Sequence, residues 1–324
     1  MTHIDAATLT LISRIGERMK ELEHPDLSVL SPEQSRYYYE EARAYFTPIK
    51  VDELTVYHTE IGEHNIPVKI YTPQHSNPLP IVMYCHGGGW VFGSIESSDS
   101  FCRYMCQSLG CMIVSVGYRL SPEHPYPAAL IDVLDTLKWL KENGEQFGGD
   151  SSNISISGES SGANLAAAAS LVWKRELSSQ LLITPVLDYN LSTASYLENH
   201  TYNLTSEKMD WFWNHYLKDK DSASDPLVSP LRAEKLDDVA PAFIVTVEKD
   251  PLRSEGEAFA SRLHHAGTLI KHVHYKSLLH SFINMIGNSQ AAKKAVDDLF
   301  DAYREVLHGK GSTKESNSTF YEYV

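Results

Sequence analysis

Gly158-Glu159-Ser160-Ser161-Gly162 stands where the hydrophobic period of the chain changes. Before it, Ile154-Ser155-Ile156-Ser157 alternates as a strand does, and after it Ala163 to Val172 is an alanine- and leucine-rich run of the kind found in buried helices. A G-x-S-x-G between a strand and a helix marks a turn so tight that the flanking positions carry no side chain, with the serine held exposed at the strand's end. Ser160 is therefore the candidate nucleophile. Taken alone, the five residues would also fit a glycine turn that merely contains serines, and the strand-to-helix setting is what argues against that.

A serine hydroxyl attacks poorly until a base within hydrogen-bond reach takes its proton, and the base needs an orienting carboxylate. In a parallel α/β sheet the loops at the carboxyl ends of the strands converge, so these partners should follow later strands in the order serine, acid, histidine. His280 follows the last predicted strand and Asp250 the one before it. Asp188, after the strand that follows the elbow, is the rival acid; Asp250 is preferred because Pro251-Leu252-Arg253 starts a helix and leaves the aspartate on the loop. Upstream, His86-Gly87-Gly88-Gly89-Trp90 ends another apolar run. Three consecutive glycines leave backbone N–H groups unshielded, which is what a developing oxyanion requires. His86 is read as shaping that loop rather than shuttling protons.

These groups need an α/β sheet to hold them. Strands are predicted from about residue 51, at 67–71, 80–85, 112–116, before the elbow, and at 181–186, 242–247 and 270–275, the central ones as near-continuous apolar runs. Helical stretches fall between them: one containing Cys102 and Cys106, one through Leu130, Leu134, Leu137 and Leu140, and one over 254–266. That alternation predicts a mainly parallel central sheet with helices on both faces.

Two segments stand outside the rhythm. Residues 6–22 and 31–46, the latter opening with Ser31-Pro32-Glu33-Gln34 and carrying Tyr37, Tyr38, Tyr39 and Tyr45, precede the first strand as helices. Residues 190–224 interrupt the strands with a polar helical insertion holding Trp211, Phe212 and Trp213. Either a lid over a cleft or packing outside the sheet fits both. The polar stretch from Lys310 is expected to be disordered and the terminal 320–324 to be frayed.

The net charge of −14 and sequence pI near 5.5 repel nucleic acid, anionic membrane surfaces and polyanionic substrates. No apolar run reaches membrane-spanning length, and the N-terminus lacks the apolar stretch of a signal peptide. Cys85, Cys102, Cys106 and Cys111 lack metal-ligand spacing and are expected as buried free thiols, consistent with a cytoplasmic protein. His272 and His274 share a strand face; with no third ligand in view an exposed face is expected rather than a metal pair.

Together, His86-Gly87-Gly88-Gly89-Trp90, Tyr118 to Glu123, Gly158 to Leu165, Asp250-Pro251-Leu252-Arg253 and His280-Ser281-Phe282 resemble the hormone-sensitive-lipase-like esterases of the α/β-hydrolase superfamily, of the bacterial acetyl esterase and carboxylesterase type, over about residues 50 to 305. The resemblance implies an α/β-hydrolase fold with a helical cap, a triad of Ser160, Asp250 and His280, and oxyanion donors at Gly88, Gly89 and Ser161. It implies cap helices over 1–48 and a catalytic domain over 49–308 with a cap insertion at about 190–224; the polar composition of 309–324 marks it as a tail outside that plan. It also implies serine carboxylesterase activity on short- to medium-chain acyl esters, with no metal or organic cofactor and a small-molecule acyl ester as partner, a homodimer being left open. Amide, acetyl-group or lactone hydrolysis would use the same groups, and a hormone receptor on this scaffold would lack the histidine. The chain departs from the family's Gly-Asp-Ser-Ala-Gly-Gly at Glu159, Ser161 and Ala163, and from its glycine after the histidine at Ser281.

Overall fold

Strands with apolar side chains on both faces have to be covered on both faces, and the chain meets that demand with helices from alternate sides. The structure is a computed structural model describing residues 4–74, 78–199, 202–309 and 322–323. In chain order the elements are α1 (Ala6–Glu21), α2 (Pro32–Arg43), β1 (Thr55–Ile61), β2 (Ile66–Thr72), β3 (Leu79–Cys85), α3 (Ile95–Leu109), β4 (Met112–Val116), α4 (Ala128–Asn143), β5 (Gly149–Glu159) and α5 (Ser161–Trp173). After these come β6 (Gln180–Ile183), α6 (Ala194–Glu198), α7 (Ser206–Tyr216), β7 (Ala242–Lys249), α8 (Arg253–His265), β8 (Leu269–Leu279), α9 (Gln290–Leu307) and β9 (Glu322–Tyr323). They form one sheet in the order β1-β2-β4-β3-β5-β6-β7-β8-β9. Pairing is antiparallel at β1/β2 and β2/β4 and parallel from β4 onward.

The period-two alternation of β3 divides the core. Ile81, Met83 and Cys85 pack with Leu137 of α4 and Ala166 of α5, whereas Val82 and Tyr84 pack with Phe101 of α3 and Phe300 of α9. Cys85 therefore lies on the opposite face from Cys102, Cys106 and Cys111, and all four are buried free thiols.

Several boundaries differ from the sequence expectation for identifiable reasons. β6 stops at Ile183 rather than 186 because Thr184 turns to φ 43°, which takes the chain out of the sheet. β5 begins at Gly149, so the polar residues 149–153 are strand, with a register shift against β3 between Leu79 and Ile81. Helix α9 was not foreseen, although Ala292, Val296, Leu299 and Tyr303 form a buried helical stripe. The terminal residues Glu322 and Tyr323 pair with Val273 and His274 instead of fraying. Of the tail expected to be disordered, 310–321 and 324 lie outside the described residues.

The exposed face foreseen for His272 and His274 is wrong. Both are buried: Thr246 Oγ1 lies 2.8 Å from His272 Nε2 and 3.0 Å from His274 Nδ1, and Glu248 Oε2 lies 3.0 Å from His274 Nε2. Polar groups buried under α8 have found partners on β7, as burial requires. Among the described residues, no helix is long and apolar enough to cross a membrane.

Candidate active site

At the carboxyl end of β5 the chain reverses into α5 within one residue. Ser160 takes φ 57° and ψ −119°, an unfavourable conformation for a side chain that persists only where the surroundings hold it. They do: Ser160 N–H donates to Ile183 O at 3.0 Å, and Ser160 O accepts from Asn164 N at 3.1 Å. A β-carbon at Gly158 would come within 2.4 Å of Gly162's backbone, and one at Gly162 within 2.1 Å of Cys85 O. The two glycines are what permit α5 to start against the end of β3.

His280 follows β8, whose strand continues to Leu279, four residues past the expected end. Its Nε2 lies 3.0 Å from Ser160 Oγ and its Nδ1 lies 2.9 Å from Asp250 Oδ2. Asp250 follows β7, is fully buried, and accepts at Oδ1 from Leu252 N–H at 2.9 Å. The carboxylate fixes the tautomer: Nδ1–H donates to Asp250, leaving Nε2 to accept from the serine hydroxyl. Burial alone would lower the His280 pKa; the charge and hydrogen bond of Asp250, helped by Glu159, outweigh it and leave the pKa above its ordinary value of 6.5. The rival acid Asp188 faces elsewhere, with Arg232 Nε 2.5 Å from its Oδ1.

Gly88 and Gly89 take φ 121° and 60°, a turn open to glycine. Gly89 is also crowded, since a β-carbon there would meet the Phe212 ring at 2.2 Å. Ser161 opens α5, so its N–H lies at the positive end of the helix dipole. Among the described residues, none accepts a hydrogen bond from the N–H of Gly88, Gly89 or Ser161. His86, as expected, shapes the loop. It is buried, its ring stacks on Tyr118 at 4.2 Å, and its Nδ1 lies 2.8 Å from Gly87 O. Burial pushes its pKa down to about 4, which keeps it neutral.

Ser160, His280, Gly88 and Gly89 open into a cavity of about 1260 Å³. The cavity walls come from both segments outside the strand rhythm: Ile15 and Met19 of α1, Tyr38 and Tyr39 of α2, and Trp211 and Phe212 of α7. The three adjacent aromatics of the insertion split in role, because Trp213 turns inward to Trp90, whose ring stacks flat on Tyr216 at 4.1 Å. Helix α2 is tied to the core by Arg36, which donates to Val91 O at 2.8 Å and Ser121 O at 2.9 Å and pairs with Glu123 at 2.7 Å. The Arg36 guanidinium holds the Glu123 carboxyl down to about 2.

Three polar residues of the insertion were not foreseen. Asn203 Nδ2 donates to His280 O at 2.8 Å, Asn199 Nδ2 to Asp250 O at 3.3 Å, and Ser195 Oγ to Pro251 O at 2.5 Å. Each braces a loop that carries a chemical group. These contacts span 51 to 77 positions, and a lone asparagine or serine in a polar segment gives no signal of them.

Known proteins share this fold. A family model described as the alpha/beta hydrolase fold matches residues 82–284. The chain is 34% identical to the carboxylic ester hydrolase LipN of Mycobacterium tuberculosis over 253 residues, covering 75% of this chain and 67% of that one. It is 32% identical to the ethyl acetate hydrolase of Pseudomonas putida, covering 87% and 92% respectively. Among solved structures, an ester hydrolase from the metagenome of Lake Arreo, bound to a derivative of bipyridine phosphonate, superposes with a TM-score of 0.86 at 30% identity, covering 95% of this chain and all of that one.

Proposed function

Because the chain belongs to the α/β-hydrolase fold family, we propose that it is a carboxylic ester hydrolase acting through Ser160, His280 and Asp250. The observation that carries this reading is the unbroken line from Ser160 Oγ through both nitrogens of His280 to Asp250 Oδ2, with steps of 3.0 and 2.9 Å, opening on a cavity. Relatives named as carboxylesterase and ethyl acetate hydrolase support the substrate class, a small-molecule ester.

The chemistry follows from the geometry. Ser160 Oγ attacks the ester carbonyl as its proton passes to His280 Nε2, and Asp250 stabilises the resulting imidazolium. Negative charge developing on the carbonyl oxygen is received by the N–H groups of Gly88, Gly89 and Ser161. The intermediate collapses, the C–O bond to the alcohol breaks, and His280 returns the proton to the departing alkoxide. Water then loses a proton to His280 and attacks the acyl-serine carbonyl, releasing the acid and restoring the serine hydroxyl. Residues 1–48 and about 190–224 serve in this reading as the cap over the 49–308 catalytic domain.

The base works only when neutral, so kcat/KM is expected to fall as pH drops through the His280 pKa. Since that pKa lies above 6.5, the acid limb of the profile should sit above 6.5. A limb well below that value would mean that burial, rather than Asp250, governs the histidine.

The acyl specificity proposed is short to medium chain. A series of p-nitrophenyl esters of increasing acyl length tests it, with turnover expected to peak among the short chains; a rate still rising at long chains would show that the cavity admits an extended tail. A cytoplasmic location is proposed on the four buried free thiols, which a reducing compartment preserves. A mass measurement in solution decides between a monomer and the homodimer left open by the sequence.

A further inference from the structure

Two of the four positions at which the motifs around the serine and the histidine depart from the family pattern meet in space. Glu159 precedes the nucleophile and Ser281 follows the base, 122 positions apart in sequence, and Ser281 Oγ donates to Glu159 Oε1 at 2.7 Å. Glu159 is 4% exposed. Its other carboxylate oxygen lies against the glycine loop: a β-carbon on Gly87 would stand 2.0 Å from Glu159 Oε2. One carboxylate thus touches the loop after β3 and the loop after β8 while its backbone fixes the serine.

Ser281 has reason to need such a contact. It adopts φ 62° and ψ 24°, the left-handed conformation that favours glycine, immediately after His280. A serine is retained there at the cost of backbone strain, and its hydroxyl makes a bond that glycine cannot. An aspartate at position 159, one methylene shorter, would not bring its carboxylate to the same place without moving the elbow.

We propose that Glu159 and Ser281 form a positioning clamp that sets His280 against Ser160 and holds the glycine loop in register with both. The clamp rests on the serine-hydrolase reading above and adds two residues to it, neither of which touches the reacting atoms. A hydrogen bond in a buried site is electrostatically stronger than one in water, which suits it to fixing a loop. The consequence is kinetic: both residues also line the cavity, but loosening the clamp misplaces the base for proton transfer, so the loss falls on kcat rather than on KM.

The test is steady-state kinetics on p-nitrophenyl acetate with Glu159→Ala, Glu159→Gln, Ser281→Ala and the Glu159→Ala/Ser281→Ala pair, with Ser160→Ala alongside. Misplacing a catalytic group by a fraction of an ångström is costly, so each alanine variant should lose about tenfold or more in kcat with KM changed by about twofold at most. The double variant should be no slower than the worse single one, and Glu159→Gln, which keeps the acceptor oxygen, should retain most of the rate. Additive losses, or effects confined to KM, would overturn the clamp. Ser281→Ala removes only one oxygen, so it reports on the contact even if Glu159→Ala does not fold; its kcat equalling that of the unmodified enzyme would overturn the proposal. Activity in Ser160→Ala above about one part in a thousand of the unmodified enzyme's would instead overturn the hydrolase reading on which the clamp depends.

Discussion

Ser160→Ala is expected to lower kcat for ester hydrolysis by about 10⁶-fold, because removing the nucleophile of a coupled triad costs nearly as much as removing the whole triad. What remains should be a residual rate from the oxyanion donors and substrate binding alone. The fold should be untouched: alanine keeps the β-carbon that already tolerates φ 57°, and the backbone bond from Ser160 to Ile183 does not involve the hydroxyl. The loss should therefore appear entirely in turnover, with the melting temperature held. Activity above about one part in a thousand, in a preparation free of host esterase, would mean that another group attacks the ester.

Gly162→Ala is expected to be the most damaging single methyl group in the site. Its β-carbon would lie 2.1 Å from Cys85 O and 2.4 Å from His86 O. Both are backbone atoms at the end of a central strand, and neither can swing aside as a flexible side chain would. Relief requires moving α5 away from β3, which would separate the serine from the glycine loop. A destabilisation of about 3 kcal/mol is expected, from the overpacking cost of a rigid core. For a domain of this size that is a melting-temperature fall of roughly 6–12 °C, read by calorimetry, together with a loss of kcat. Gly16→Ala supplies the contrast, since nothing lies within 4 Å of its β-carbon and it sits within helix α1. That change should leave stability level or raise it by up to about 1 kcal/mol. Equal behaviour of the two variants would show that α5 can move off β3 without cost and that close packing does not require glycine at 162.

How much of the site was legible beforehand depended on whether a residue's role is local. The elbow was readable because a strand that turns into a helix over a serine needs glycine on both sides, a demand written in five consecutive residues. The glycine loop was readable for the same reason, since each apolar strand ends where its special turn begins. Asp250 and His280 were readable from chain order, because strand ends in a parallel sheet converge. Asp188 also follows a strand end; the helix start after Asp250 favoured the latter, and the structure sets Asp250 Oδ2 2.9 Å from His280 Nδ1 while Asp188 lies beside Arg232.

Other features were hidden because nothing local announces them. His272 and His274 alternate as a solvent-facing strand would, yet α8 covers that face and Thr246 and Glu248 supply their partners. Trp211, Phe212 and Trp213 look equivalent in sequence, and the turn of α7 sends two to the cavity and one to the core.

The sequence by itself determined the α/β alternation, the two glycine turns and the order of the chemical groups, because periodicity and backbone sterics act over a few residues. The tertiary structure alone decided which aromatics reach the cavity, that His272 and His274 are buried, and that Glu159 meets Ser281. Those outcomes depend on side chains brought together across tens to more than a hundred positions, where packing geometry, rather than residue type, selects the partner.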